Sequence, residues 1–268
     1  MLLARTLSLV CALGLLAPAL TPGMPAGATG ILSVPSLDNP LKDSIDAFDR
    51  GDYQQSIDLL TLYLGANPKD IDALVRRGIA YAKLKKNELA LADFDRAKAI
   101  SPDSPRVALV RGACLYEQSQ YKAAIDDLQI AIEGYPQDSF PLVLLTFCYY
   151  HTDAYDKCLT VAKKALTLGY SMDQNLALMM AASYGELKRF KEAEQLLAQL
   201  CEKPGATAEA WIARGNCAAY QEKFTEAANY YQKALTLEPG NADALYHLAI
   251  CKLATNKNEV GLKELEAA

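Results

Sequence analysis

Proline returns at a fixed interval along this chain: Pro68, Pro102 and Pro136 are each 34 residues apart. Small residues keep the same interval. Ala97, Ala131 and Ala165 are spaced by 34, and the series resumes at Leu200, Ala234 and Ala268 after one step of 35. A third series runs Ser56, Ala90, Ala124, Cys158, Ala193, Ala227 and Gly261. Gly78 and Gly112 hold another register, which Gly215 rejoins after a one-residue insertion near 170–173. A period of this length marks repeated supersecondary units, each too small to enclose a core of its own.

Within each period, apolar residues recur at three and four, the helical spacing. The stretch GNCAAYQEKFTEAANYYQKALTLEPGN, residues 215–241, reads as two amphipathic segments with a break between them and a Pro-Gly stop. Proline cannot continue a helix, so it turns the chain into the next pair. The break carries an aromatic in five units, Tyr53, Tyr121, Tyr155, Phe190 and Phe224, suited to the wedge between two helices. Gly or Ala in the first helix is expected to face Ala in the second and so allow close approach. Stacked pairs then share one continuous core.

These residues resemble the tetratricopeptide repeat family. In 208–241 the signature positions are Trp211, Gly215, Phe224, Ala227, Tyr231, Ala234 and Pro239; in 71–104 they are Gly78, Tyr81, Ala90, Phe94, Ala97 and Pro102. The resemblance implies an all-α, right-handed superhelical solenoid of about six to seven helix-turn-helix repeats. Its units fall at about 37–70, 71–104, 105–138, 139–172, 174–207, 208–241 and 242–268. Departures from the pattern gather in 139–172, where Thr146 replaces Gly, Cys158 replaces Ala and Tyr170 replaces Pro. A bend or change of twist is expected near 165–175. The last unit is expected to end inside its second helix, with the polar NKNEVGLKELEAA acting as a terminal cap.

The first residues differ from the rest. Arg5 precedes an apolar run from Leu7 to Leu16, followed by prolines and small residues, with Ala-Gly-Ala at 26–28. The run is too short to span a bilayer. It reads as an export signal, 1–28, cut after Ala28, with a linker over 29–36. The mature chain, with no further span, is expected in the periplasm or secreted. The formal net charge of −5, with no long basic stretch, argues against nucleic acid as a partner.

No catalytic chemistry is legible. His151 and His247 stand nearly three repeats apart, each without a second ligand at metal spacing, and read as surface or half-buried residues. No phosphate loop and no zinc or hydrolase motif is present. The expectation is therefore no enzyme, no metal and no cofactor. Cys114, Cys148, Cys217 and Cys251 share one register, where neighbouring helices stand too far apart for disulfides. A buried small residue explains them, although Cys148 with Cys158, or Cys201 with Cys217, could come near enough to pair.

The family resemblance implies that the first helix of each pair lines a concave groove. The matching positions are Val75, Ile79, Leu109, Tyr116, Val143, Phe147, Tyr150, Leu178, Ile212, Asn216, Tyr220, Tyr246 and Ile250. Their mostly apolar character suits a peptide or amphipathic helix of a partner protein, with Tyr116, Phe147, Tyr150 and Tyr246 as anchors. Internal packing between first helices is the competing account of the same residues. The paired Lys and Asn that clamp acidic carboxy-terminal peptides in some relatives are absent: Leu41, Ile45, Val75, Ile79, Leu109 and Ala113 stand there. The function implied is a non-catalytic interaction scaffold or assembly adaptor for other proteins. A holdase-like chaperone for exported proteins and a self-assembling structural module, forming homo-oligomers, are the alternatives.

Overall fold

The computed structural model describes residues 39–267, with side chains to Asn256. The expected export signal and linker lie outside the described residues. The described chain is all helix and turn. Six helix pairs follow one another: α1 Pro40–Asp49 with α2 Tyr53–Ala66, α3 Ile71–Lys83 with α4 Asn87–Ile100, and α5 Pro105–Glu117 with α6 Tyr121–Gly134. Then come α7 Ser139–His151 with α8 Tyr155–Thr167, α9 Gln174–Glu186 with α10 Phe190–Glu202, and α11 Ala208–Tyr220 with α12 Phe224–Leu237. A single long helix, α13 Ala242–Ala267, completes the series. The described residues hold no helix long and apolar enough to cross a membrane.

First and second helices start by different means. Side chains cap the first helices: Asn39 accepts from the Lys42 amide at 3.1 Å, Asp70 from Ala73 at 2.9 Å, Asp173 from Leu176 at 2.8 Å and Asn241 from Ala244 at 3.0 Å. Each oxygen satisfies an amide the helix leaves unpaired. Most second helices have no such cap: Lys86, Gln120, Ala154, Arg189 and Lys223 make no side-chain capping bond. There the chain turns through one left-handed residue. Lys85, Ser119, Asp153, Lys188 and Glu222 all have φ between 56° and 61°, and Gly51 takes the same place at 83°. The next residue donates back into the preceding helix, Lys86 to the Tyr81 carbonyl at 2.9 Å and Arg189 to Tyr184 at 2.8 Å. This closure satisfies the last carbonyls of the first helix.

Packing within a pair corrects one expectation. The glycine of the first helix faces a large residue of the second, not alanine. A Cβ on Gly78 would fall 2.5 Å from the Phe94 ring, and one on Gly215 would fall 2.6 Å from the Tyr231 ring. Phe94 and Tyr231 are fully buried. The missing side chain makes room for an aromatic that then fills the pair's interior, a contact worth about 3–5 kcal/mol when truncated to Ala. The second-helix alanines Ala90, Ala97, Ala124, Ala131, Ala227 and Ala234 are also buried.

The helices gather into two compact units, one through Cys148 and one from Tyr149, with the boundary inside α7. In the first unit, buried ion pairs join successive helices. Arg77 on α3 grips Asp93 on α4 with two bonds of 2.7 Å and reaches Thr61 on α2 at 3.1 Å. One repeat later, Arg111 on α5 donates to Asp127 on α6 at 2.6 Å and to Asp95 on α4 at 2.5 Å. Lys98 adds a second cation to the fully buried Asp127. In the second unit the core is apolar: Leu159, Ala162, Leu176, Met180, Tyr184 and Leu197 form one cluster, with Leu196 packed against it. Here α8 and α9 are joined through 168–173, a longer connection than 67–70 or 101–104, with Gly169 at φ 89°.

The last unit departs from expectation. It holds one helix rather than the start of a pair. Asn256 stands in the register of the left-handed residues Lys85 and Glu222, yet α13 runs through it. Breaking a helix leaves backbone groups unpaired, which the left-handed closure of the earlier units satisfies. In α13 the helix instead keeps its own hydrogen bonds.

Candidate protein-interaction surface

The predicted groove residues divide into three groups by burial. Val75, Leu109, Val143 and Phe147 are buried. They are core residues, and their assignment as partner contacts is corrected; so is the choice of Phe147 as an anchor. The cause is that first helices of adjacent pairs touch, α3 with α5, α9 with α11, and α11 with α13. Where first helices touch, the apolar stripe of one is covered by the next, and Phe147 on α7 packs against Tyr116 on α5. Ile79, Tyr116, Tyr150, Leu178, Ile212 and Asn216 are half-buried. Tyr116 packs edge-on against Phe147, with centroids 6.0 Å apart, and burial pushes its phenol well above the usual range. Only three of the residues stand open: Tyr220 is 74 % exposed, Tyr246 65 % and Ile250 41 %.

All three lie in the second unit, on α11 and α13, and the ground beneath them is ordered by aromatic contacts. Tyr220 closes the last turn of α11 and stacks on Phe190, which opens α10, with centroids 6.2 Å apart and planes 14° from parallel. One turn earlier, Asn216 accepts a 2.7 Å hydrogen bond from the Tyr231 hydroxyl. Burial raises the Tyr231 phenol, so it stays a neutral donor across the physiological range. Tyr231 stacks in turn on His247 at 5.4 Å, and His247 meets the Tyr246 ring edge-on at 5.3 Å. Gly215 makes this possible by leaving space for the Tyr231 ring. Each exposed ring thus rests on a half-buried one, Tyr220 on Phe190 and Tyr246 on His247, and His247 in turn on the buried, hydrogen-bonded Tyr231. Rigid aromatics of this kind supply contact area at small entropic cost.

Leu253 belongs to the same face and was missed from the sequence. It is 63 % exposed and lies three residues beyond Ile250 on α13. The signal was there, because Leu253 holds the register that Tyr116 and Tyr150 occupy in earlier units.

The remaining polar groups are engaged in packing. All six described cysteines are buried thiols, so neither Cys148 with Cys158 nor Cys201 with Cys217 is joined. Burial pushes the Cys148 thiol up to about 12 and the Cys201 thiol up to about 11. Such groups lack the thiolate character that nucleophilic or metal-binding cysteines require. His151 titrates below its ordinary value because burial disfavours the charged ring. Among the described residues, no group of three or more His, Cys, Asp or Glu side chains could hold a metal ion. What the surface offers is apolar and aromatic contact.

Known proteins show the same construction. Tetratricopeptide repeat models match residues 42–105 and residues 208–241. The chain is 26 % identical over 208 residues, 77 % of its length, to the DnaJ homolog subfamily C member 7 homolog of Dictyostelium discoideum. It is 24 % identical over 182 residues, 68 % of its length, to the human mitochondrial import receptor subunit TOM70. These alignments span 35 % and 25 % of the two relatives, so the chain corresponds to about a third or less of either. Among solved structures, YrrB, described as a tetratricopeptide repeat protein with an unusual peptide-binding site, superposes with a TM-score of 0.62 at 19 % identity. That match covers 70 % of this chain and 96 % of YrrB. Residues 42–105 and 208–241 are therefore tetratricopeptide repeats, and the chain that carries them is an all-α helical repeat solenoid.

Proposed function

We propose that this chain is a non-catalytic interaction scaffold or assembly adaptor that holds an apolar segment of another protein on α11 and α13. The observation that carries the reading is the exposed set Tyr220, Tyr246 and Ile250, with Tyr220 stacked on Phe190 and Tyr246 edge-on to His247, which itself stacks on the buried Tyr231. Large apolar side chains exposed together on a water-facing surface mark interaction sites. The peptide-binding description of YrrB is in keeping with this use of the fold. The partner is expected to be a helix or extended peptide with its own apolar face. The exported compartment belongs to the same proposal and rests on the N-terminal sequence alone: Arg5, the apolar run to Leu16 and Ala-Gly-Ala at 26–28. Amino-terminal sequencing of the protein recovered outside the cytoplasm checks it, with a start at Thr29 expected.

A photo-crosslinking amino acid at Tyr220, introduced in the organism that makes the protein, tests the contact surface. One recurrent adduct that disappears when the probe moves to the exposed Lys191 is the expected result and identifies the client. Absence of any adduct overturns the reading. Many unrelated adducts would replace the adaptor by a holdase.

A further inference from the structure

The α11–α12 pair holds a polar contact that other pairs do without. Tyr231 on α12 lies over Gly215 with none of its surface exposed, and its hydroxyl donates to Asn216 Oδ1 at 2.7 Å. In three earlier pairs the same two registers hold Phe94 with Ile79, Leu128 with Ala113 and Leu197 with Ala182. Phe94 fills the space over Gly78 as Tyr231 fills the space over Gly215. A pair therefore closes without the hydroxyl and without the amide. Tyrosine at this place adds a buried phenol that must find an acceptor, and Asn216 supplies it.

The bond reaches the surface. Asn216 is half-buried on α11, one turn from Ile212 and one turn from the exposed Tyr220. An amide held by its oxygen cannot turn over, and its nitrogen arm keeps two protons to donate. Among the described residues that nitrogen makes no hydrogen bond. The Tyr231 ring meanwhile stacks on His247 of α13 at 5.4 Å, and His247 meets Tyr246 edge-on at 5.3 Å. One buried side chain thus supports both helices of the candidate surface, α11 through its hydroxyl and α13 through its ring.

We infer that Tyr231 is a positioning residue of this surface: its hydroxyl sets the Asn216 amide with its N–H groups toward the partner, and its ring sets His247 and with it Tyr246. The inference rests on the adaptor reading and adds a donor of fixed direction to contacts that are otherwise apolar. A partner must then bring an acceptor to Asn216, because a donor covered by an apolar group loses its bonds to water. Apolar contact alone separates segments of similar hydrophobicity poorly, whereas an unmatched buried donor rejects them. Asn216 touches the partner, and Tyr231 acts through it.

Tyr231→Phe tests this, since it removes one oxygen and leaves the ring over Gly215. Circular dichroism should be unchanged and the melting point lower by no more than about 4 °C. In a nitrogen-edited NMR spectrum of the full chain, the side-chain amide pair that vanishes in Asn216→Ala identifies Asn216. That pair should shift and broaden in Tyr231→Phe. The adduct formed by the photo-crosslinker at Tyr220 should fall about tenfold in Tyr231→Phe and in Asn216→Ala alike, and no further in Y231F/N216A. An Asn216 amide pair unmoved by Tyr231→Phe overturns the inference. So does an adduct yield that stays at the parent level, or a double variant well below both single ones, which simple loss of packing would give. No adduct in the parent overturns the adaptor reading and the inference with it. A parent adduct that survives Tyr231→Phe leaves the adaptor standing and removes only the role of Tyr231.

Discussion

The two compact units solve the same packing problem with different chemistry. In the first, Arg77 and Arg111 on the first helices meet Asp93 and Asp127 on the second, at distances of 2.6–2.7 Å. In the second, the same registers hold Met180 with Leu196, both in an apolar cluster, and then Arg214 with Tyr230. The Arg214 guanidinium sits 4.5 Å over the Tyr230 ring and donates to Glu194 at 2.9 Å. Lys233 adds a second cation 4.4 Å over Trp211. An ion pair, an apolar contact and a cation over a ring thus occupy one position of the repeat. The backbone geometry demands only that this space be filled and every buried charge matched. A buried carboxylate is tolerable because its oxygens are fully engaged, and such pairs tie helices together without adding much net stability.

The comparison breaks most sharply at Asp93. Asp93→Ala strands Arg77 between three helices, and urea denaturation should show a loss of about 3–5 kcal/mol. Writing the second unit's solution into the first, as R77M/D93L, should recover most of that loss and end within about 1 kcal/mol of the parent. If the double variant is as unstable as the single one, the ion pair is essential to the fold and the equivalence of the two units fails.

Alkali gives the next largest effect. An unfolded thiol releases its proton near its ordinary value of 9.0, while folded Cys148 holds it to about 12 and Cys201 to about 11. The folded state therefore binds more protons in that window, so stability is complete below about pH 9 and falls as pH rises. The slope from Cys148 alone is about 1.4 kcal/mol per pH unit. Cys148→Ala should flatten the alkaline limb of a stability–pH curve up to pH 12, and Cys201→Ala only up to pH 11. An unchanged limb in both variants would show that the thiols do not differ from solvent-exposed ones.

The smallest effect tests what the units share. Lys85 in the first and Glu222 in the second hold the same left-handed turn, with φ of 59° and 61°. An L-residue there bears roughly 1 kcal/mol of strain that glycine relieves, partly offset by the entropy glycine loses on folding. Lys85→Gly and Glu222→Gly should each raise stability by up to about 1 kcal/mol, whereas valine at either site should lower it. Opposite signs at the two sites would mean that the turns are not equivalent.

How much could be read from residues alone differs from feature to feature. The helix pairs and their stops were legible, because Pro68, Pro102, Pro136 and Pro239 act locally. The left-handed turns were not: Lys85, Ser119, Asp153, Lys188 and Glu222 carry no shared chemistry, and the conformation is imposed by the helices they join. The ion pairs escaped notice because Arg77 and Asp93 lie 16 residues apart on different helices. Of the candidate surface, Tyr220, Tyr246 and Ile250 are exposed, while Val75, Leu109, Val143 and Phe147 are buried. Periodicity identifies the face a residue occupies and says nothing about whether a neighbouring helix covers that face.

The sequence by itself determined the repeat. Its interval, its helical spacing and its small-residue registers are local or nearest-neighbour properties, and an array built from such terms inherits them directly. Tertiary structure alone decided that Gly78 and Gly215 shelter aromatic rings, that the first-helix stripe is core in one place and surface in another, and that α13 continues where every earlier first helix turns. Those outcomes depend on which surfaces meet. Burial is a property of two partners, and one segment of sequence specifies only its own half.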